Sequence, residues 1–179
     1  MSVSIITCVT NFGSGMGAGH SCLAVSGTVF TFENILGFIP GGASGWNSFS
    51  LPKYLEMNRD RPVFIQKLYG IVKPGMVLDY ISTSISRDDL YGFSGVCSSQ
   101  TANAIQYAWG NDFDPSGIDT PYAVYLLAKG KRLVEEETFH WPGKENLPIG
   151  KFINIHFKLS EIEKTPIPRT ELEEQNFSN

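Results

Sequence analysis

Apolar and polar positions alternate on both sides of one dipeptide, Ser26-Gly27. His20-Ser21-Cys22-Leu23-Ala24-Val25 precedes it and Thr28-Val29-Phe30-Thr31-Phe32-Glu33 follows. Two such runs around a two-residue turn predict a β-hairpin. With Ser26 and Gly27 central, Val25 faces Thr28, Leu23 faces Phe30, Cys22 faces Thr31 and His20 faces Glu33. Val3 to Val9 and Val63 to Val72 predict further strands, and so does the alternation from Phe152 to Leu159. Helical spacing of Val96, Thr101, Ala104, Ile105 and Ala108 predicts a helix that opens near Cys97 and stops at Gly110-Asn111. Ser50 and Pro52 mark the start of another helix, running to Asn58. Pro74-Gly75 reads as a turn before a strand or short helix over 76–81, and Pro121 to Ala128 fits either element. Pro40 to Trp46 reads as a long loop, a candidate lid. The fold class expected is α+β: a central antiparallel sheet of about five or six strands, with the Cys97 helix packed against it.

Chemistry enters through the hairpin. Directly opposed side chains share a face with Cβ atoms roughly 5 Å apart. Glu33 would therefore orient His20 and leave its second ring nitrogen free as a base. A one-residue slip in register would move Glu33 to the other face. Cys97, crowded by serine and glycine at a helix start, is the candidate nucleophile. There the unpaired N–H groups and the helix dipole favour a thiolate and can hold an oxyanion. Each residue also has a plainer reading. Cys97 could be a small core residue, Glu33 a solvated strand-end carboxylate, and Cys8 reads as core. Cys22 shares the His20 face but has no helix terminus to activate it. Gly19 and Ser98 beside the pair, and Trp46 in the loop, are the candidate substrate contacts. His140, in the aromatic turn Phe139-His140-Trp141-Pro142-Gly143, is a rival base, and that turn could equally form a wall of a substrate cleft. His156, near Asn154, is a rival base.

At 179 residues, with 42% hydrophobic and 12% aromatic content, the chain reads as one catalytic domain over 1–162. A polar, proline-broken tail follows over 163–179. The net charge is −4 and the 14 basic residues are scattered, which excludes a nucleic-acid footprint. No apolar run reaches membrane-span length, and the amino terminus lacks a secretory leader, so synthesis in the cytoplasm is expected. Three cysteines and three histidines form neither a disulfide framework nor a zinc signature. Asp112, Asp114 and Asp119 lack the glycine and glutamate of a calcium loop. The glycines of 11–19 match no phosphate-binding fingerprint. No cofactor is expected.

Gly19-His20-Ser21 opening an apolar hairpin, followed later by Cys97-Ser98-Ser99 at a helix start, resembles the circularly permuted NlpC/P60 (papain-like) enzymes. Lys73-Pro74-Gly75-Met76-Val77-Leu78 is similar to their Pro-Gly-Asp-hydrophobic strand, with Met76 in place of the acidic residue. The resemblance implies a permuted papain-like fold, Cys97 as nucleophile and His20 as base, with a third polar position at Glu33 or Thr31. It also implies a cysteine amidohydrolase or endopeptidase cleaving peptidoglycan stem peptides. By analogy with type VI secretion effectors, it implies delivery to a target-cell periplasm and a cognate immunity protein. Two alternatives stay open: a thioester-forming acyltransferase or deamidase toxin on the same fold, and a non-catalytic binding domain.

Overall fold

The computed structural model describes residues 1–9, 19–34, 44–59, 61–89, 96–110, 113–114 and 120–141. The strands are β1 (Val3–Cys8), β2 (His20–Val25), β3 (Thr28–Asn34), β4 (Ser44–Ser50), β5 (Val63–Leu68) and β6 (Val134–His140). The helices are α1 (Leu51–Met57), α2 (Pro74–Ser86), α3 (Cys97–Trp109) and α4 (Pro121–Gly130). All six strands form one antiparallel sheet in the order β4-β3-β2-β1-β5-β6. The fold is therefore α+β with a central antiparallel sheet, as the pattern predicts.

The hairpin forms in the predicted register, with Val25 against Thr28 and Leu23 against Phe30. Its turn has positive φ at both Ser26 (50°) and Gly27 (79°), the primed geometry whose twist matches that of the flanking strands. Gly110 closes α3 in the left-handed region, at φ 76°, where glycine carries no Cβ penalty.

Period-2 alternation divides the strand side chains between two faces. On one face Val3, Ile5, Leu23 and Val25 join Val77 and Ile81 of α2, Ala104, Ile105 and Ala108 of α3, and Val124 and Ala128 of α4. On the other, Ile6, Cys8, Cys22, Ala24, Val29, Val63 and Ile65 are covered by Leu51, Tyr54 and Leu55 of α1. Among the described residues three helices thus sit on one face and one short helix on the other.

Three sequence expectations change. Trp46 is not in a loop: residues 44–50 pair with β3 as an edge strand, Phe32 against Trp46. Lys73 to Leu78 is not a strand: Pro74 starts α2, because a proline in the first turn gives up only an N–H that has no partner there anyway. That stretch therefore does not match the strand of the resemblance. Phe139 and His140 are not a turn either, but the end of β6, paired with Phe64 and Val63. Pro121 opens a helix rather than a strand, with the Thr120 hydroxyl capping the Ala123 N–H at 3.1 Å. The glycine loop up to residue 18, the 163–179 tail, the 152–159 alternation with His156 and Asn154, and Asp112 and Asp119 lie outside the described residues.

Candidate functional site

Cys97 is the first residue of α3 and is 6% exposed. The residue before it, Val96, has no side-chain acceptor to cap the helix, and its own N–H goes to Ser99 Oγ at 2.7 Å. The first turn continues with buried polar residues, Ser98, Gln100 and Thr101. Gln100 Oε1 accepts from Tyr80 Oη at 2.7 Å. Trp46 stands on the same face of the sheet as α3, its ring 5.4 Å from that of Phe32 and packed on the same core. A hydrogen-bonded relay fixes the indole. Trp46 Nε1 donates to Ser84 Oγ (2.9 Å), which donates to Asp89 Oδ2 (2.6 Å), which also accepts from Arg87 (3.1 Å). Antiparallel pairing and the course of α2 bring Ser84, Asp89, Trp46 and Cys97 to one end of the sheet.

His20 belongs to the other face. The register sets His20 against Cys8, and Cys22 against Ile6, and all of these share the side that α1 covers. His20 Nε2 bonds Thr31 Oγ1, the diagonal neighbour of His20 on β3. Burial, reinforced by the nearby Arg61 charge, lowers the imidazole to about 4. Glu33 is half-buried, and burial raises its carboxyl despite the opposing pull of Arg61. Beside them Cys8 Sγ lies 3.5 Å from Tyr54 Oη. Burial pushes the Cys8 thiol up to about 11 and raises the Cys22 thiol and the Tyr54 phenol as well. Cys8 and Cys22 are thus protonated core thiols, as the sequence suggests.

The structure brings Cys97, Ser98 and Trp46 to one face and puts His20 and Glu33 on the opposite one. Among the described residues no hydrogen bond joins His20 to Cys97 or to Glu33. The polar partner of His20 is Thr31, one of the two residues, Glu33 or Thr31, that the sequence offers for that position. Gly19 has a steric role: a Cβ there would lie 2.1 Å from the Cys8 carbonyl oxygen. It lets β2 start against its own neighbour strand, rather than giving room to a substrate backbone. His140 is 5% exposed and, paired with Val63, shares the α1 face with His20. Ser84 and Asp89 could not be found from sequence, since their role exists only once α2 lies across β4.

A thiol at a helix start can attack a substrate carbonyl, and the fixed Trp46 indole lies on the same face of the sheet. An imidazole of low basicity on the far face can accept or donate one hydrogen bond but holds little charge near neutral pH. Among the described residues no group of three His, Cys, Asp or Glu side chains could hold a metal ion. Nor is any helix there long and apolar enough to cross a membrane. Comparisons with protein-family models, with curated proteins and with solved structures give no match.

Proposed function

We propose that the chain is a cysteine amidohydrolase with Cys97 as nucleophile, acting on an amide bond in peptidoglycan stem peptides. The observation that supports it is the position of Cys97 as the first residue of a 13-residue helix packed on an antiparallel sheet, with Trp46 on the same face. In this reading the Cys97 thiolate adds to the substrate carbonyl, and first-turn N–H groups of α3 hold the oxyanion. The C–N bond breaks as the leaving amine takes a proton. Water then hydrolyses the thioester, returning the thiol and a carboxylate. Delivery to a target-cell periplasm as an antibacterial effector, with an immunity protein as partner, is part of the same proposal and rests on the resemblance.

The reading requires a base on the Cys97 face. His20 and His140 take the opposite face, and His156 lies outside the described residues. The test is therefore the rate of Cys97 alkylation against pH, with Cys8 and Cys22 replaced by serine, in otherwise unaltered protein, His20→Ala and His156→Ala. Fast labelling well below the ordinary thiol pKa of about 8.5, slowed by one of the two substitutions, identifies the base. Muropeptide release from purified peptidoglycan, lost in Cys97→Ala, then tests the substrate. Labelling that is slow at every pH and indifferent to both histidines sinks the reading.

One observation favours a second reading, a non-catalytic binding domain. The His20 ring is held by Thr31 across the sheet from Cys97. Under that reading Cys97 is a buried core thiol, and no acceptor, whether peptidoglycan, lipid or protein, is turned over.

A further inference from the structure

The stripe of α3 that faces the sheet is Cys97, Thr101, Ala104, Ile105 and Ala108, all buried. Its lower part lies on the apolar core with Ile5 and Leu23, which are directly opposed on β1 and β2. The next pair up on that face is Thr7 against Ser21. Two strand residues advance about 7 Å and one helical turn about 5.4 Å, so Thr101 falls over this pair and Cys97 one turn beyond it. Cys97 also raises the thiols of Cys8 and Cys22, the chain neighbours of Thr7 and Ser21. Thr7 and Thr101 are each 1% exposed and Ser21 is 0% exposed. The hydroxyl oxygens of all three are buried without a hydrogen-bond partner among the described residues.

Three orphaned hydroxyls between one helix and one sheet are out of keeping with a packed interior. Each would cost about 1–3 kcal/mol if left unmade. Valine and alanine would fill the same space without that cost. We infer that Thr7, Ser21 and Thr101 form an internal water site between the sheet and α3, one turn below Cys97. A buried water typically makes about three hydrogen bonds to otherwise unsatisfied groups. Three hydroxyls that can each donate or accept supply them. The site does not depend on Cys97 being a nucleophile, since loss of the thiol leaves all three hydroxyls in place.

Thermal unfolding of the full chain tests it with Thr7→Val, Ser21→Ala and Thr101→Val, singly and in pairs. A shared water predicts that each single change lowers Tm by about 2–4 °C. It also predicts that the Thr7→Val/Thr101→Val pair loses clearly less than the sum, because the second change acts on a site already broken. Single changes that raise Tm, or a pair whose losses simply add, overturn the inference. A crystal structure of the unaltered chain gives an independent readout should a variant fail to fold. Density for a water within hydrogen-bond reach of all three hydroxyls supports the site. Direct contacts among the side chains, with no density between them, overturn it.

Discussion

The two faces of the sheet are built differently. The α3 face has three helices, a large apolar core, the nucleophile candidate and an indole fixed through Ser84 and Asp89. The α1 face has one 7-residue helix and a polar row: His20 on Thr31, Glu33 and Arg61 nearby, Cys8 on Tyr54. The first face offers a thiol at a helix start, and on the second burial favours the neutral forms of His20, Cys8, Cys22 and Tyr54. Residues that look like one constellation in sequence take opposite faces of the sheet. In a strand one residue's displacement along the chain changes face, so closeness in sequence is no guide to a shared site.

Four predictions sharpen this contrast. The largest effect should come from the α3 face core: Ile105→Ala removes a fully buried side chain and should cost about 2–5 kcal/mol. Leu55→Ala on the thinner α1 face should fall at the bottom of that range or below. Urea unfolding of both decides whether the faces really differ in depth. Next, Gly19→Ala drives a methyl group into the Cys8 carbonyl, forcing the start of β2 off β1. A loss of about 1–3 kcal/mol is expected, and the His20 imidazole should rise towards its ordinary pKa as the row opens, readable by NMR titration.

The third prediction is a pH dependence carried by the α1 face. The His20 pKa in the folded chain, about 4, lies below its ordinary 6.5, so the unfolded chain takes up the proton first as pH falls. The His20 contribution is complete above pH 6.5 and is lost between pH 6.5 and 4. It should amount to about 2 kcal/mol, less than the whole shift implies because the ring keeps some contact with solvent. Unfolding free energies at pH 7 and pH 5 should differ in the native chain, and the difference should shrink in His20→Gln. An unchanged difference would place the pH dependence elsewhere. The smallest effect belongs to Ser84→Ala, which breaks the Trp46 relay. It should cost about 1 kcal/mol and shift the tryptophan emission, while leaving the His20 titration on the opposite face untouched.

Much of the local structure was readable because local physics sets it. The Ser26-Gly27 turn, the pairing of Leu23 with Phe30, the start of α3 at Cys97 and its stop at Gly110 each follow from a few adjacent residues. Pro74-Gly75 misleads because the same dipeptide suits a turn and a helix start, and only the packing of Val77 and Ile81 on the core selects the helix. The β6 strand is hard to see because Glu135, Glu136 and Glu137 interrupt its apolar pattern. Its polar side chains are accommodated by tertiary partners: Lys67 with Glu135 and Glu136, and Gln66, Tyr125 and Lys129 on Glu137.

The sequence by itself determined the α+β class, the hairpin and its register, and the helix that begins with Cys97, because period and turn chemistry act over a few residues. It also determined that His20 and Thr31 would share a face, since that follows from the turn alone. Only the tertiary structure decided which side of the sheet α3 would cover, and with it that Cys97 would share a face with Trp46, Thr7 and Ser21 rather than with His20. A hairpin has two faces of similar apolar character, Cys22 and Ala24 on one and Leu23 and Val25 on the other. The choice between them was made by the larger apolar area that α2, α3 and α4 bury together against Ile5, Leu23 and Val25.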